Sequence, residues 1–209
     1  MSPTATLGRR ERKKLQTHRA LTTAARELAL ARGLDGLTVE DIADAADVSV
    51  RTFFNYFSCK EEALVGVEPA VLAELGDELR ERPAEEAPLE ALRAVLATGV
   101  DDVAEAVRRW SLRTELVRRH PSLLPRHLAA LAEIEAALVR ALAARLGTDP
   151  AKDPFPAVAV AAAMATLRAA ASWWEDAGRP GPLDKTVDAA FATLGRGLAA
   201  PTRARRGRR

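Results

Sequence analysis

The stretch from Thr38 to Lys60 constrains the fold more than any other part of the sequence, because it carries two helix-start signals separated by a tight turn. Thr38 and Ser49 are residue types that prefer the N-cap position, where the side chain accepts a hydrogen bond from a backbone amide near the helix start. The segment from Asp47 to Ser49 leaves room only for a turn. Apolar residues with helical spacing follow Thr38, namely Val39, Ile42 and Ala45. Two short helices connected in this way are typical of a helix-turn-helix.

Helices are also predicted on both sides of this motif. Residues 9–32 have an apolar stripe with helical spacing, and Gly33 is suited to end that helix. After the motif, Ser58 and Glu61 match the S-x-x-E capping box, which predicts a long helix over residues 59–82. The N-terminal part of the chain is therefore predicted to be a compact three-helix unit.

The second helix of the motif has one apolar face and one polar face. Its apolar residues fall at i, i+3, i+4 and i+7 and are Val50, Phe53, Phe54 and Phe57. When Phe53 and Phe57 pack inward, the outer side carries Arg51, Thr52, Asn55 and Tyr56. Arg can form two hydrogen bonds with guanine and Asn two with adenine, whereas Tyr56, Thr52 and Lys60 suit phosphate oxygens. The unpaired amides at the helix starts, Thr38 and Ser49, also favour phosphate.

The composition supports an all-α fold. Alanine and leucine dominate, only 4% of the residues are aromatic, and the β-branched runs that mark strands are nearly absent. With 209 residues and 48% hydrophobic side chains, the chain can bury a sizeable core. About nine helices are expected, the later ones over residues 89–97, 101–119, 121–146, 154–177 and 183–199.

Basic residues are concentrated at the two ends of the chain. Lys and Arg outnumber Asp and Glu by eight to two in residues 1–33, whereas residues 61–202 carry sixteen basic and twenty-two acidic side chains. Residues 203–209 hold five Arg and no acid. A basic block beside a motif that can enter a groove favours a polyanionic partner. The run from Arg9 to Lys14 is expected to precede or open the first helix, and it is either a flexible arm that reaches DNA or a disordered, solvated end. The Arg-rich tail is predicted to be disordered.

Several other classes of protein are disfavoured. Cys59 is the single cysteine, which excludes an intramolecular disulfide, and no N-terminal apolar run resembles a secretory signal, so a cytoplasmic protein is expected. The apolar segment over residues 155–174 contains Arg168, which favours a buried helix over a membrane span. A metal site at His120 and His127 is disfavoured, because no cysteine or third histidine accompanies them. No phosphate loop, nucleophile elbow or zinc-helix signature is present, so no metal, cofactor or catalytic residue is predicted.

The motif resembles the DNA-binding domain of TetR-type repressors. The resemblance rests on the run L-T-V-E-D-I-A-D-A-A-D-V-S-V-R-T-F-F-N-Y-F-S-C-K-E-E-A-L, residues 37–64, and covers residues 10–64. The remainder of the chain agrees with this family only in length, helix content and helix order. The recognition helix R-T-F-F-N-Y-F is similar to that of actinobacterial regulators related to the mycofactocin-system regulator, a group linked to acyl-CoA-like ligands.

The resemblance implies DNA contacts by particular residues. Phosphate contacts are implied for Thr38, Thr52, Tyr56 and Lys60, and base-edge contacts for Val50, Arg51, Phe54 and Asn55. Phe54 departs from the family pattern, in which tyrosine is frequent at this position, so an apolar contact to a thymine methyl is expected. Cys59 stands where a small polar residue or a proline is common, and it is expected to be inert.

Dimerisation is expected through the last two helices. The helix over residues 154–177 is apolar nearly all round and needs cover on several sides. The last helix has Gly195 and Gly197, which permit close approach, and an apolar stripe made of Leu183, Val187, Phe191, Leu194 and Leu198. The TetR resemblance implies that these two helices pair with their copies in a four-helix interface. A homodimer suits a palindromic operator.

A ligand pocket is expected inside the helices between residues 89 and 177. Its candidate apolar lining, each member of which also fits an ordinary core position, is Val103, Val107, Trp110, Leu116, Leu124, Leu128, Met164, Leu167 and Trp173. Arg113 and Arg168 lie in apolar surroundings, where an unpaired charge is costly. Each is therefore expected to face an acidic partner or an anionic ligand.

The predicted organisation is a DNA-binding domain over residues 1–58, a helical ligand-binding and dimerisation domain over residues 59–200, and a basic tail over residues 201–209. Three functions stay open at this point. The first is a repressor released from operator DNA by a small apolar or acyl-type ligand. The second is a DNA-binding regulator controlled by a protein partner without a small ligand. The third is a helical carrier or enzyme for acyl or aromatic groups.

Overall fold

The computed structural model describes residues 9–67, 69–98, 113 and 115–198, and these residues form helices and turns without strands. Residues 115–119 are helical and lead into a 3-10 turn over Pro121–Leu123. The α-helices are α1 (Arg9–Arg32), α2 (Val39–Ala45), α3 (Val50–Phe54), α4 (Lys60–Val65), α5 (Pro69–Glu81), α6 (Pro88–Thr98), α7 (Leu124–Leu146), α8 (Phe155–Asp176) and α9 (Leu183–Gly195). The predicted all-α fold is confirmed.

The described residues divide into two compact units. The first unit contains residues 9–67, 69–77, 113 and 115–138, and the second unit contains residues 78–98 and 139–198. No break in packing occurs at residue 58, because α4 lies beyond it and buries its apolar side chains in the core of the first unit. These side chains are Ala63, Leu64 and Val65.

The core of the first unit lies among α1, α2, α3 and α4. Small residues of α1, such as Ala25 and Ala29, let the short helices approach closely, and larger side chains fill the space. The fully buried large side chains are Leu21, Leu37, Ile42, Phe53, Leu64, Leu116 and Leu123. Arg26 is buried as well, and its Nε donates a 2.9 Å hydrogen bond to the Leu64 carbonyl. The guanidinium therefore ties α1 to α4.

Side-chain caps set where α2 and α3 begin, as predicted. The Thr38 hydroxyl accepts from the Asp41 amide at 3.1 Å, and the Asp41 carboxylate accepts from the Thr38 amide at 2.9 Å, which completes a capping box. Ser49 caps α3 by accepting from the Thr52 amide at 3.1 Å. Gly33 follows α1 with a φ of 79°, the left-handed conformation that glycine adopts most easily.

The prediction of a single long helix over residues 59–82 is wrong. Cys59 is the N-cap of α4, and the helix ends at Gly66, whose backbone is extended with a ψ of 166°. The next helix, α5, starts at Pro69, which has no amide hydrogen to continue the hydrogen-bond ladder of a preceding helix. The break is therefore a property of the backbone at these two positions.

The core of the second unit is formed by α6, α8 and α9. Its buried apolar side chains include Leu92, Val95, Val160, Ala163, Leu183, Val187 and Phe191. Leu183, Val187 and Phe191 are only 6%, 2% and 3% exposed within the single chain, and their contact with a second copy stays a prediction. The stripe is apolar because α9 packs on its own neighbours. Leu194 is half-buried, and Leu198 is exposed.

The long apolar helix α8 is buried on one face only. Its buried residues are Pro156, Val160, Ala163, Ala170 and Ala171. Val158 and Trp173 are 63% and 57% exposed, so the described residues of this chain do not supply the cover predicted on several sides. By length and composition α8 could also cross a membrane, but one such helix is weak evidence because core helices of soluble proteins pass the same test.

Asp47, in the turn between α2 and α3, has a φ of 53°, a region that is strained for most side chains. We expect Asp47→Gly to leave the free energy of unfolding unchanged or to raise it by up to about 1 kcal/mol, because glycine removes the strain but loses more entropy on folding. Asp47→Val should lower it by at least about 1 kcal/mol, because a branched side chain is disfavoured at this φ. Urea unfolding of both variants and the parent measures these values. Equal losses in both variants would show that the carboxylate, and not the backbone conformation, decides the stability of the turn.

Candidate nucleic-acid interface

Two phenylalanines hold α3 in place. Phe53 is fully buried and Phe57 is 4% exposed, and their ring centroids lie 5.5 Å apart in the core of the first unit. A helix of five residues is far too short to be stable by itself in water, so its orientation depends on this burial. The other side of α3 consequently faces solvent.

Three polar side chains on this outward side are available to an external partner. Arg51 and Asn55 are exposed and Tyr56 is half-buried. Among the residues that the structure describes, no hydrogen bond or ion pair engages the guanidinium, the side-chain amide or the phenolic hydroxyl of these three residues. Phe54 is 55% exposed beside them. Hydrogen-bonding groups and an apolar ring thus lie together, as reading base edges requires.

Three other predicted contact residues use their hydroxyls within the protein. Thr38 Oγ1 donates to the Asp41 carboxylate at 2.7 Å, so it has no hydrogen left for a phosphate, and this bond and the one from the Thr38 amide hold the pKa of Asp41 below its ordinary value. Ser49 Oγ and Thr52 Oγ1 lie 2.8 Å apart, and whichever donates, the other keeps its hydrogen. The start of α3 therefore retains one hydroxyl donor, whereas the start of α2 carries a carboxylate.

The side chains of Lys60 and Val50 also make contacts within the protein. Lys60 Nζ donates to the carbonyls of Leu34 and Leu37 at 2.9 and 2.8 Å, in the segment that connects α1 to α2. Two of the three ammonium hydrogens are therefore engaged. Val50 is half-buried and packs against the core of the first unit.

His18 of α1 lies beside the turn that follows α3, although nothing in the sequence singled it out. Its ring centroid is 4.6 Å from that of Phe57 and 6.2 Å from that of Tyr56. Burial, together with the charges of Arg26 and Arg19, lowers the pKa of His18 to about 4. The imidazole is therefore neutral near pH 7.

Glu62 of α4 organises the same turn and replaces the Glu61 of the predicted capping box. Its carboxylate accepts hydrogen bonds from the amide and the hydroxyl of Ser58 at 2.6 and 2.7 Å, and Arg126 at the start of α7 lies 3.8 Å away. Burial raises the pKa of Glu62, but the hydrogen bonds from Ser58 and the charge of Arg126 outweigh it, and the net pKa is lowered. Glu62 thus links this turn to α7 within the first unit.

Five of the predicted ligand-pocket residues are either core or exposed in the described part of the chain. Leu116 is fully buried in the core of the first unit, where its partners are apolar side chains of the same unit. Leu124 and Leu128 are 45% and 55% exposed on α7. Arg168 and Trp173 are exposed on α8, so the Arg168 charge is solvated and needs no buried counter-ion. A ligand contact by these five residues stays a prediction.

The other predicted pocket residues stay untested. Met164 and Leu167 are partly buried on α8. Arg113 donates a long hydrogen bond of 3.4 Å to the Gly66 carbonyl, between α4 and α5. Val103, Val107 and Trp110 lie outside the described residues.

Two clefts in the described part of the chain lie elsewhere. The larger, of about 620 Å³, lies between α1 and the end of α2 and is lined by residues that include Arg19, Thr23, Glu27, Leu28, Ala45 and Asp47. The smaller, of about 310 Å³, lies between α6 and α9, where Arg93 and Asp188 form a 2.6 Å ion pair. Within residues 9–67, 69–98, 113 and 115–198, no group of three metal-ligating side chains occurs.

The basic N-terminal run is helical where the structure describes it. Arg9 to Lys14 form the first turns of α1, so this run opens the helix, and its contact with DNA stays a prediction. The Arg-rich tail over residues 203–209 lies outside the described residues.

Two family models match the chain in consecutive segments. Residues 21–65 match the N-terminal domain of bacterial regulatory proteins of the TetR family. Residues 86–199 match the MftR C-terminal domain. The first match includes α2 and α3 with the whole turn between them, and the second spans α6, α7, α8 and α9.

Known proteins similar to this chain are transcriptional regulators. The HTH-type transcriptional regulator TcmR of Streptomyces glaucescens is 38% identical over 173 residues, which are 80% of this chain and 76% of that protein. Thermus thermophilus FadR, a TetR-family repressor solved in complex with lauroyl-CoA, is 26% identical with a TM-score of 0.52, and the match covers 91% of this chain and 99% of that one. The fatty acid degradation regulator FadR from Bacillus halodurans shares the fold at 20% identity, with a TM-score of 0.57 and coverage of 87% and 96%.

Lys60→Met tests whether Lys60 supports the fold or binds phosphate. Because its ammonium holds two backbone carbonyls, we expect the variant to lose about 1–3 kcal/mol of unfolding free energy. The dependence of DNA affinity on salt should stay the same, whereas losing a phosphate contact would reduce the slope of log K against log salt by about 1. Urea unfolding and a salt titration of DNA binding measure the two effects, with Lys185→Met as an exposed control in the second unit. A reduced slope with unchanged stability would contradict this account of Lys60.

Proposed function

The chain belongs to the TetR family of bacterial regulatory proteins, and we propose that it is a repressor that binds a palindromic operator as a homodimer and leaves it when a small effector binds. Membership of this family makes it a DNA-binding regulator of transcription and not an enzyme. Such a regulator acts in the cytoplasm, where bacterial DNA lies. Operator binding is supported above all by one observation, the unengaged polar groups of Arg51, Asn55 and Tyr56 beside the exposed Phe54.

Each of these side chains suits one kind of DNA contact. Arg51 has the donor geometry for O6 and N7 of a guanine, and Asn55 has a donor and an acceptor for an adenine. The exposed ring of Phe54 suits a thymine methyl, and the Tyr56 hydroxyl suits a phosphate oxygen. The hydroxyl hydrogen left over in the Ser49 and Thr52 pair is a second phosphate donor. In this proposal Thr38 and Lys60 make no phosphate contact, because the Thr38 amide and hydroxyl both donate to the Asp41 carboxylate and the Lys60 ammonium holds two backbone carbonyls. Val50 adds apolar contact.

We place the dimer interface on the exposed face of α8. This face runs between Val158 and Trp173 and is otherwise made of small residues spaced three or four apart, namely Ala161, Ala165, Ala169 and Ser172. Small side chains allow two helices to approach closely, and a second copy would remove the two large apolar side chains from water. Leu194 and Leu198, near the end of α9, are the remaining candidates from the predicted stripe.

An acyl-CoA or another small apolar molecule is the effector that we propose. The match of residues 86–199 to the MftR C-terminal domain and the similarity to a FadR that was solved with lauroyl-CoA support this choice. The candidate contacts are of two kinds. Some predicted pocket residues among them are partly buried, and the others lie outside the described residues. They are Met164, Leu167, Arg113, Val103, Val107 and Trp110.

Substitutions on the outward side of α3 should weaken operator binding without unfolding the protein. Arg51→Ala and Asn55→Ala each remove a base contact worth about 1–3 kcal/mol, so we expect the Kd for DNA upstream of the protein's own gene to rise about tenfold or more. The unfolding free energy should change little, because neither side chain has a partner in the described residues. Fluorescence anisotropy measures the Kd, and Thr23→Ala, exposed on α1, is the control. Affinity equal to that of the parent in both variants would contradict the proposed recognition surface.

Val158→Glu should convert the dimer into a monomer. The substitution places a carboxylate on the proposed interface, where burying an unpaired charge costs several kcal/mol. Sedimentation velocity measures the mass of the variant and of Ala136→Glu, a matched control on the exposed side of α7. A variant that stays dimeric while Ala136→Glu dissociates would show that the interface lies elsewhere.

Lauroyl-CoA should stabilise the protein and release it from the operator. At about 100 times its Kd, a ligand that binds only the folded state adds roughly 2.7 kcal/mol, which raises the Tm by several degrees for a chain of this size. Differential scanning calorimetry and the operator Kd are measured with lauroyl-CoA, with CoA and with lauric acid. Unchanged Tm and unchanged operator affinity with all three would contradict the acyl-CoA proposal and favour control by a protein partner.

A further inference from the structure

His18 packs against both aromatic rings that follow α3. Its ring plane is tilted by 46° to that of Phe57 and by 65° to that of Tyr56, with centroid distances of 4.6 and 6.2 Å. The second arrangement is the edge-to-face geometry that aromatic pairs prefer. Phe57 is fixed by burial, whereas Tyr56 is half-buried and its hydroxyl has no partner among the described residues. The ring of His18 is therefore one of the surfaces against which the Tyr56 side chain packs.

The surroundings of His18 keep its ring uncharged. The cations that face it are Arg26, Arg19 and Lys14 of α1, and they oppose protonation in addition to burial. Glu62 of α4 acts in the opposite direction, and its effect is weaker than that of Arg26 or Arg19. With a pKa of about 4, the imidazole serves as a neutral ring at physiological pH.

We propose that His18 is a positioning residue for operator binding, whose ring holds the Tyr56 ring in the orientation that directs the hydroxyl to an operator phosphate. This inference rests on the proposed function of Tyr56. His18 itself touches no DNA in this arrangement. Its loss should matter for affinity only while Tyr56 carries its hydroxyl, whereas a purely structural residue would affect affinity equally with and without that hydroxyl.

A double-mutant cycle between H18A and Y56F tests the inference. Y56F removes one charge-assisted hydrogen bond, so we expect operator affinity to fall about tenfold, and H18A should cause a similar fall of about five- to tenfold. In the Y56F background, H18A should change affinity less than about twofold, because the hydroxyl is already absent. H18F keeps an aromatic ring at the same place and should bind within about twofold of the parent.

Circular dichroism establishes that each variant is folded at the assay temperature, and T23A on the exposed side of α1 is the control. H18L, which fills the space without an aromatic edge, replaces H18A in the cycle if H18A is unfolded. Equal losses from H18A with and without the Tyr56 hydroxyl overturn the positioning role and leave the proposed function of Tyr56 intact. Parental affinity of Y56F itself overturns the contact that both proposals share.

Discussion

The burial of Phe53 and Phe57 is the interaction on which the DNA-binding surface depends. The recognition helix α3 has only five residues and is not stable by itself, so packing against α1, α2 and α4 must fix its position. Arg26 strengthens this frame by tying α1 to the last turn of α4. Because Phe53 faces inward, Arg51 and Asn55 face outward. The direction of the reading side chains is thus a consequence of core packing two residues away.

Polar groups around α3 divide into those that build the surface and those that are left for DNA. Hydrogen bonds at helix starts and in connecting segments engage the side chains of Thr38, Ser49, Lys60 and Glu62. Arg51, Asn55 and Tyr56 have no such use in the described part of the chain. Pre-organisation of the surface by the first group lowers the ordering cost that binding would otherwise carry. This division explains why residues of similar type a few positions apart have different roles.

The sequence predicts the local features of this protein well and the long-range ones poorly. The caps at Thr38 and Ser49 and the inward direction of Phe53 follow from patterns within a few residues, and the structure confirms them. His18 follows Leu15 by three residues on the apolar side of α1, but its partners Tyr56 and Phe57 are brought there only by the fold.

The predictions at the other end of the chain have the same limit. An apolar stripe shows that a helix is covered without showing by what: Leu183, Val187 and Phe191, which the sequence assigns to a second copy, are buried within the chain where α9 packs on α6 and α8. The central claim, that the outward side of α3 reads bases, is tested most directly by the affinities of the parent, Arg51→Ala and Asn55→Ala for a library of operators with single base-pair changes. Each variant should lose discrimination at its own base pair, at two positions related by the operator dyad, while keeping the parental preference elsewhere. A uniform loss of affinity with the full base preference retained in both variants would contradict the claim.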